Sequence, residues 1–181
     1  MLIPIEAIRI ESEWNGNAVS ARHWITIHLL ERERCLEARI SAPYYGDPAA
    51  PDSQQGPTDG LWEYEVVELF LYGAKNKYLE IELSPSGHHL VLRLDGVRQI
   101  VESKLPLPYE ATILGDRWTA TAKIDKNLLP PGPLRWNATA IHGSHEQRTY
   151  LSWVPLPGEK PDFHQPEASR PLPFSADDPA S

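Results

Sequence analysis

The sequence predicts an all-β fold, a jelly-roll β-sandwich of about ten short antiparallel strands. Three observations carry that expectation. Apolar residues recur with period two along almost the whole chain. Eighteen prolines and eleven glycines interrupt it too often for long helices. Six tryptophans and seven tyrosines supply large rings that favour strands and binding surfaces.

The segments follow in order. Ile3, Ile5 and Ile8–Ile10 suggest a first strand. His23–Leu29 alternates, with Ile25, Ile27 and Leu29 on one face and Trp24, Thr26 and His28 on the other. The charged run Glu31–Arg34 reads as a hairpin tip before Leu36–Ala42. Further strands are expected at Glu65–Tyr72, Tyr78–Ser84, His89–Leu94, Gln99–Leu105, Tyr109–Leu114, Arg117–Ile124 and Arg135–His142. Asp125–Leu129 is a single helical turn stopped by Pro130 and Pro131. Residues 1–174 are expected to form one domain and residues 175–181 a flexible tail.

One hairpin can be registered. Taking Pro85 opposite His88 across a tight turn pairs Leu83 with Leu90, Ile81 with Leu92 and Leu79 with Leu94 on one apolar face. Glu80 then faces Arg93 as an ion pair, and Glu80 and Glu82 lie on a solvated face. Pro43–Gly60 has no periodicity and reads as a long loop, of the kind that is usually functional or disordered.

Composition excludes several functions. With 17 basic and 25 acidic residues the net charge is −8, the opposite of a phosphate-binding footprint, so no nucleic-acid partner is expected. No apolar run approaches the ~20 residues of a membrane-spanning helix, and the first residues lack the basic and apolar regions of a signal peptide. A lone cysteine, Cys35, makes neither an internal disulfide nor a thiolate cluster, and reads as structural. These features point to a cytoplasmic protein with no membrane partner.

Candidate site residues come from three segments: Leu61–Phe70, Ala140–Trp153 and Pro161–Glu167. Exposed Trp and Tyr rings stack on the C–H faces of sugars, while nearby charged and polar groups fix hydroxyl directions. Trp118 and Trp136, inside alternating strands, are expected in the core, whereas Trp62 and Trp153 lie beside loops. His142 and His145 have spacing for two zinc ligands, with His164, His88 or a carboxylate as a third. Hydrogen-bonded histidines at a strand end are the competing and favoured reading. Calcium could be held through Asp59, Glu63 and Asp162, although the spacing matches no EF-hand. Glu63, Glu65, Glu68, Glu80 and Glu82 could supply the two carboxylates of a glycosidase, with Glu68 partly buried and its pKa raised.

Leu61–Leu71, Tyr78–Leu92, Ala140–Ser144 and Lys160–His164 resemble, in order and over nearly the whole chain, the family of the vertebrate chromosome-four open reading frame number thirty-three. That family brings no established activity. More distantly, Trp62…Glu65-x-x-Glu68, Ser84-Pro-x-Gly87, Trp118, Trp153-x-Pro155 and His164-x-Pro166-Glu167 resemble family-9 carbohydrate-binding modules and the wider DOMON-like group. The resemblance implies a jelly-roll sandwich that binds sugars or, in some branches, haem, with Trp62 and Trp153 as the pair enclosing a terminal sugar. Ala168-Ser169 stand where those modules commonly carry Phe-Gly. Met/His haem ligation is not expected, because Met1 is the only methionine.

The expected function is therefore non-catalytic binding of a small carbohydrate or glycan end, without a cofactor. Trp62, Tyr64 and Trp153 would offer rings, Glu68 and Arg148 would fix hydroxyls, and His142, His145 and His164 would line a polar wall. The alternatives are a hydrolase or metal-dependent enzyme acting on a sugar-like substrate with the histidines and Glu68, and a protein-interaction sandwich docking through the Pro43–Gly60 loop and the sheet face.

Overall fold

A computed structural model describes residues 3–174; the tail expected at 175–181 lies outside the described residues. Among the described residues twelve strands form two antiparallel sheets. The first runs β1 (Ile3–Ile10), β2 (Ile25–Glu31), β3 (Cys35–Pro43), β9 (Arg117–Asp125), β8 (Tyr109–Leu114). The second runs β11 (Thr149–Ser152), β10 (Arg135–His142), β4 (Val66–Tyr72), β5 (Lys77–Leu83), β6 (His89–Asp95), β7 (Ile100–Glu102), with β12 (Arg170–Pro171) also on β10. This is the expected jelly-roll sandwich.

Alternation sets the inner faces. Ile25, Ile27 and Leu29 from β2 and Leu36, Ala38 and Ile40 from β3 meet Val67, Leu69, Leu71, Leu79, Ile81 and Leu83 across the sandwich. Trp118 and Trp136 are both fully buried, as expected of rings inside alternating strands. The helical candidate is a short 3-10 turn, Lys126–Leu128, capped by the Asp125 carboxylate, which accepts from the Asn127 amide at 2.8 Å. β11 and β12 were not expected, and the seventh strand is only three residues long.

The second sheet is covered on both faces, which explains why every residue of β4 is buried. Its outer face carries a second apolar cluster containing Val66, Phe70, Tyr78, Leu92, Leu94 and Ile141. Leu61 and the C-terminal residues Leu156, Phe163 and Ala168 pack over it.

That cover corrects the hairpin register. The structure pairs Leu83 with His89, Ile81 with Val91 and Leu79 with Arg93, one residue away from the expected alignment. Leu79, Ile81 and Leu83 do face the core, but Leu90, Leu92 and Leu94 turn outward onto the second cluster. The turn carries the extra residue: the Ser84 amide donates to the His88 carbonyl, and Gly87 sits at φ +86°. The Glu80–Arg93 pair does not form, since Arg93 bonds to Glu102. Glu80 and Glu82 are buried rather than solvated. With apolar residues on both sides of the sheet, a slip that keeps leucines together is not the register that wins.

The long loop is ordered by its backbone. Glu65 accepts the Tyr45 and Gly46 amides at 3.1 and 2.8 Å, and the Gly143 amide donates to the Asp47 carbonyl at 2.7 Å. Among the described residues no helix is long and apolar enough to cross a membrane.

Candidate functional site

Between the outer face of the second sheet and its C-terminal cover lies a cavity of about 340 Å³. Glu68 and Phe70 on β4, Glu80 on β5, and Leu92 and Leu94 on β6 form its floor. Trp62, Arg98, Tyr150, Phe163 and His164 stand around it. Apolar walls with a few convergent polar groups are the usual make-up of a small-ligand site.

Trp62 sits in a 3-10 turn, Leu61–Glu63, entered through Gly60 at φ +69°. Leu61 is buried in the second cluster, so the turn is anchored while Trp62 remains 44% exposed. Arg148 holds the turn from the other side. Its guanidinium donates to the Trp62 carbonyl, to the Glu63 carbonyl at 3.0 Å and to the Gly143 carbonyl at 3.3 Å. Three carbonyls use much of its fixed fork of donors. The same guanidinium lies 5.7 Å from the Tyr150 ring centroid.

The floor is acidic and buried. Glu68 and Glu82 are directly opposed across β4 and β5, and Glu80 lies two residues along on the same face. Their exposures are 2, 0 and 5% for Glu68, Glu82 and Glu80. Oxygens of all three come within 4.8 Å of one another. Glu68 Oε2 accepts from the Thr139 hydroxyl at 2.9 Å. Neither Glu82 oxygen accepts a hydrogen bond from any described residue, although the nearby Trp62 amide works against the rise of its pKa. Desolvation is the main reason their pKa values rise, to about 7 for Glu68, about 8 for Glu80 and about 10 for Glu82. Repulsion from Glu68 adds to the shift of the other two.

A second polar chain crosses the rim. The Arg98 amide donates to the Tyr78 hydroxyl at 3.0 Å, and that hydroxyl lies 2.8 Å from His164 Nδ1. With its oxygen already accepting, Tyr78 can give its own proton to Nδ1. This assignment leaves the histidine proton on Nε2, which faces Glu80 at 3.8 Å. Burial lowers the His164 pKa to about 4, so the ring is neutral near pH 7. The Arg98 guanidinium is drawn aside to Asp162 at 2.7 Å.

The structure gathers Trp62, Glu68 and His164 around this cavity and places Arg148 behind the Trp62 turn. It does not bring Trp153 to Trp62. Trp153 packs against Trp136 at 4.8 Å between centroids, lies under Arg170, and borders a separate open groove with Glu6 and Arg9. β11 ends at Ser152, and the Trp153 amide is tied to the Ala138 carbonyl, which turns the ring toward that groove. Tyr64 lies along a narrow crevice with Tyr44, Glu65 and Ser84.

The histidines do not converge. His142 stacks on Tyr45 with centroids 3.7 Å apart, and His145 lies on the 3-10 turn His145–Gln147. Among the described residues the group with three ligand atoms in reach of one ion is Glu68, Glu80 and Glu82, not the expected histidine cluster. Of the expected calcium ligands, Asp59 is paired with Lys104 and Asp162 with Arg98, both at 2.7 Å.

Sequence reasoning put Glu80 on a solvated face, and it did not single out Arg98 or, within the segment Ala140–Trp153, Tyr150. The available signal was Glu80 and Glu82 alternating with core leucines beside a C-terminal segment rich in aromatics, which hints that the other face is covered too.

The fold is that of carbohydrate-binding modules. The chain is similar to a putative carbohydrate-binding protein from Bacteroides uniformis, with a TM-score of 0.70 and 14% identity over 93% of this chain and 85% of that one. A carbohydrate binding module of family 9 from Caldicellulosiruptor kristjanssonii, solved with cellotriose, superposes with a TM-score of 0.54 at 10% identity, covering 94% of this chain and 80% of that one. No family model matches the chain. The protein belongs to the UPF0462 (C4orf33) family. It is 39% identical over 176 residues to the UPF0462 protein C4orf33 homolog of Mus musculus, covering 92% of this chain and 91% of that protein. Identity to the human UPF0462 protein C4orf33 is 39% over 164 residues, covering 86% and 82%.

Proposed function

We propose that this is a cytoplasmic, non-catalytic protein that binds a small carbohydrate or glycan end in the cavity between Trp62 and His164. The observation that carries the reading is the exposed Trp62 ring at the edge of a cavity whose floor is built of carboxyl groups. An indole face stacks on the C–H surface of a pyranose, and buried carboxyl groups take hydroxyls in fixed directions. The volume suits one or two sugar rings. The solved relatives support the same reading: one is described as a putative carbohydrate-binding protein, and the family-9 module was solved with cellotriose and with glucose.

The test is a thermal-shift and calorimetric screen of mono- and oligosaccharides on the wild type beside Trp62→Ala. Trp62 is half exposed, so its removal leaves the core intact. A sugar that binds the wild type and loses at least ~10-fold in affinity to the folded variant supports the reading. A screen without a binder, or a binder indifferent to Trp62, overturns it.

A further inference from the structure

We infer that Glu68, Glu80 and Glu82 form a binding site for a hard divalent cation of the calcium type at the floor of the cavity. Two oxygens bound to one such ion at about 2.4 Å can stand no more than about 4.8 Å apart. The three carboxyl groups meet that limit mutually, each with one oxygen. The spacing is produced by the sheet: Glu82 opposes Glu68 in register, and Glu80 follows on the same face.

Proximity of acids alone would be a weak argument. The independent observation is Glu82. It is fully buried, both its oxygens lie unpartnered among the described residues, and its carboxyl group points toward the other two. A buried polar group without a partner is costly, and a cation at this point supplies the interaction that Glu82 lacks while bridging it to Glu68 and Glu80. Among the described residues no side-chain cation does so, because Arg98 is committed to Asp162 and Arg148 to backbone carbonyls. The Thr139 hydroxyl on Glu68 Oε2 fixes the orientation of one ligand, as outer-shell partners of metal sites do. An all-oxygen donor set selects a hard ion over zinc or copper. Glu68 and Glu80 border the cavity, so the ion has a route in and water can fill its remaining positions.

The experiment uses the whole chain stripped with EDTA. Equilibrium dialysis against calcium measures uptake, and thermal unfolding with calcium, magnesium, sodium and ammonium chlorides measures selectivity. The wild type is expected to take up about one calcium ion per chain and to gain several degrees in Tm. Glu82→Gln and Glu80→Gln, checked as folded by circular dichroism, are expected to lose at least ~10-fold in affinity. No calcium uptake by the wild type overturns the inference, as does equal uptake by both variants. A monovalent salt that stabilises as well as calcium, at equal ionic strength, overturns it too. Neither readout involves a sugar, so this inference and the carbohydrate reading fail separately.

Discussion

Glu68 on β4 and Glu82 on β5 are paired directly across the second sheet, and both are buried. Two acids in register on a covered face are an unfavourable cross-strand pair: burial and mutual repulsion hold Glu82 in its neutral form, and its carboxyl group lies without a hydrogen-bond partner among the described residues. The sheet tolerates them because hydrophobic burial on its other face, from Val67 through Leu83, fixes the same register. The pair is a cost to folding.

The first prediction concerns that cost. With divalent cations removed by EDTA, Glu82→Met is expected to stabilise the protein by about 1–3 kcal/mol, because it removes a buried carboxyl group that has no partner among the described residues and nearly keeps its volume. Urea unfolding at neutral pH checks this: the midpoint should rise with an unchanged slope. A destabilised variant would mean that Glu82 has a partner in the folded state that the geometry does not reveal.

A second prediction follows from the grip of Arg148 on the Trp62 turn. The guanidinium reaches three backbone carbonyls, an arrangement a lysine ammonium cannot reproduce in shape. Arg148→Lys is expected to leave the sandwich folded while loosening Leu61–Tyr64. Hydrogen exchange should show faster exchange at the Glu63 and Tyr64 amides, which close the turn onto the Gly60 and Leu61 carbonyls, and unchanged protection in β4 and β5.

How much of this was readable beforehand depended on whether the determinants were local. Ile25, Ile27 and Leu29 alternate within one strand, and Trp118 and Trp136 sit inside such patterns, so their burial follows from period two alone. Glu80 and Glu82 obey the same period, and their face was assigned correctly relative to Leu79 and Ile81. What failed was the assumption that the other face is wet. Its cover, Leu156 to Ala168, has no periodicity and arrives from the far end of the chain. The register error has a local cause as well: Ser84 and His88 bracket a three-residue turn, and Gly87 in the left-handed region absorbs the extra residue. Trp153 was misplaced for a third reason. Adjacency to a loop does not say which side of the sheet edge a ring takes, and here it takes the side of Trp136.

A third prediction concerns acid stability. His142 is stacked on Tyr45, and burial is the first cause of its lowered pKa, about 4 against 6.5 in the unfolded chain. The positive neighbours His23 and Arg148 push the same way, and Asp47 opposes them. The native state therefore resists the proton that the unfolded state accepts. The stability this contributes is complete above about pH 6.5 and is lost as the pH falls toward 4. His142→Phe keeps the stack and removes the titration. Between pH 7 and 5 the wild type should lose roughly 1–2 kcal/mol more than the variant, a figure reduced for the ring's partial contact with solvent. Parallel pH profiles for the two proteins would refute the assignment.

The fourth prediction tests how the loop behind the cavity is shaped. Gly143 follows β10 at φ +78°, and a Cβ there would stand 2.3 Å from the Gln147 carbonyl oxygen. That contact is with backbone, which cannot swing aside as a side chain could. The Gly143 amide also donates to the Asp47 carbonyl, while its own carbonyl accepts from Arg148. Gly143→Ala must therefore displace the His145–Gln147 turn, and with it the long loop and the support of Trp62. The expected loss is about 2–4 kcal/mol, combining left-handed strain with the clash. Ala at Gly115, which also has positive φ but meets nothing within 4 Å, should lose only the strain component, about 1 kcal/mol. Comparing the two variants by chemical unfolding separates close approach from backbone conformation, and equal losses would show that Gly143 is needed for its φ alone.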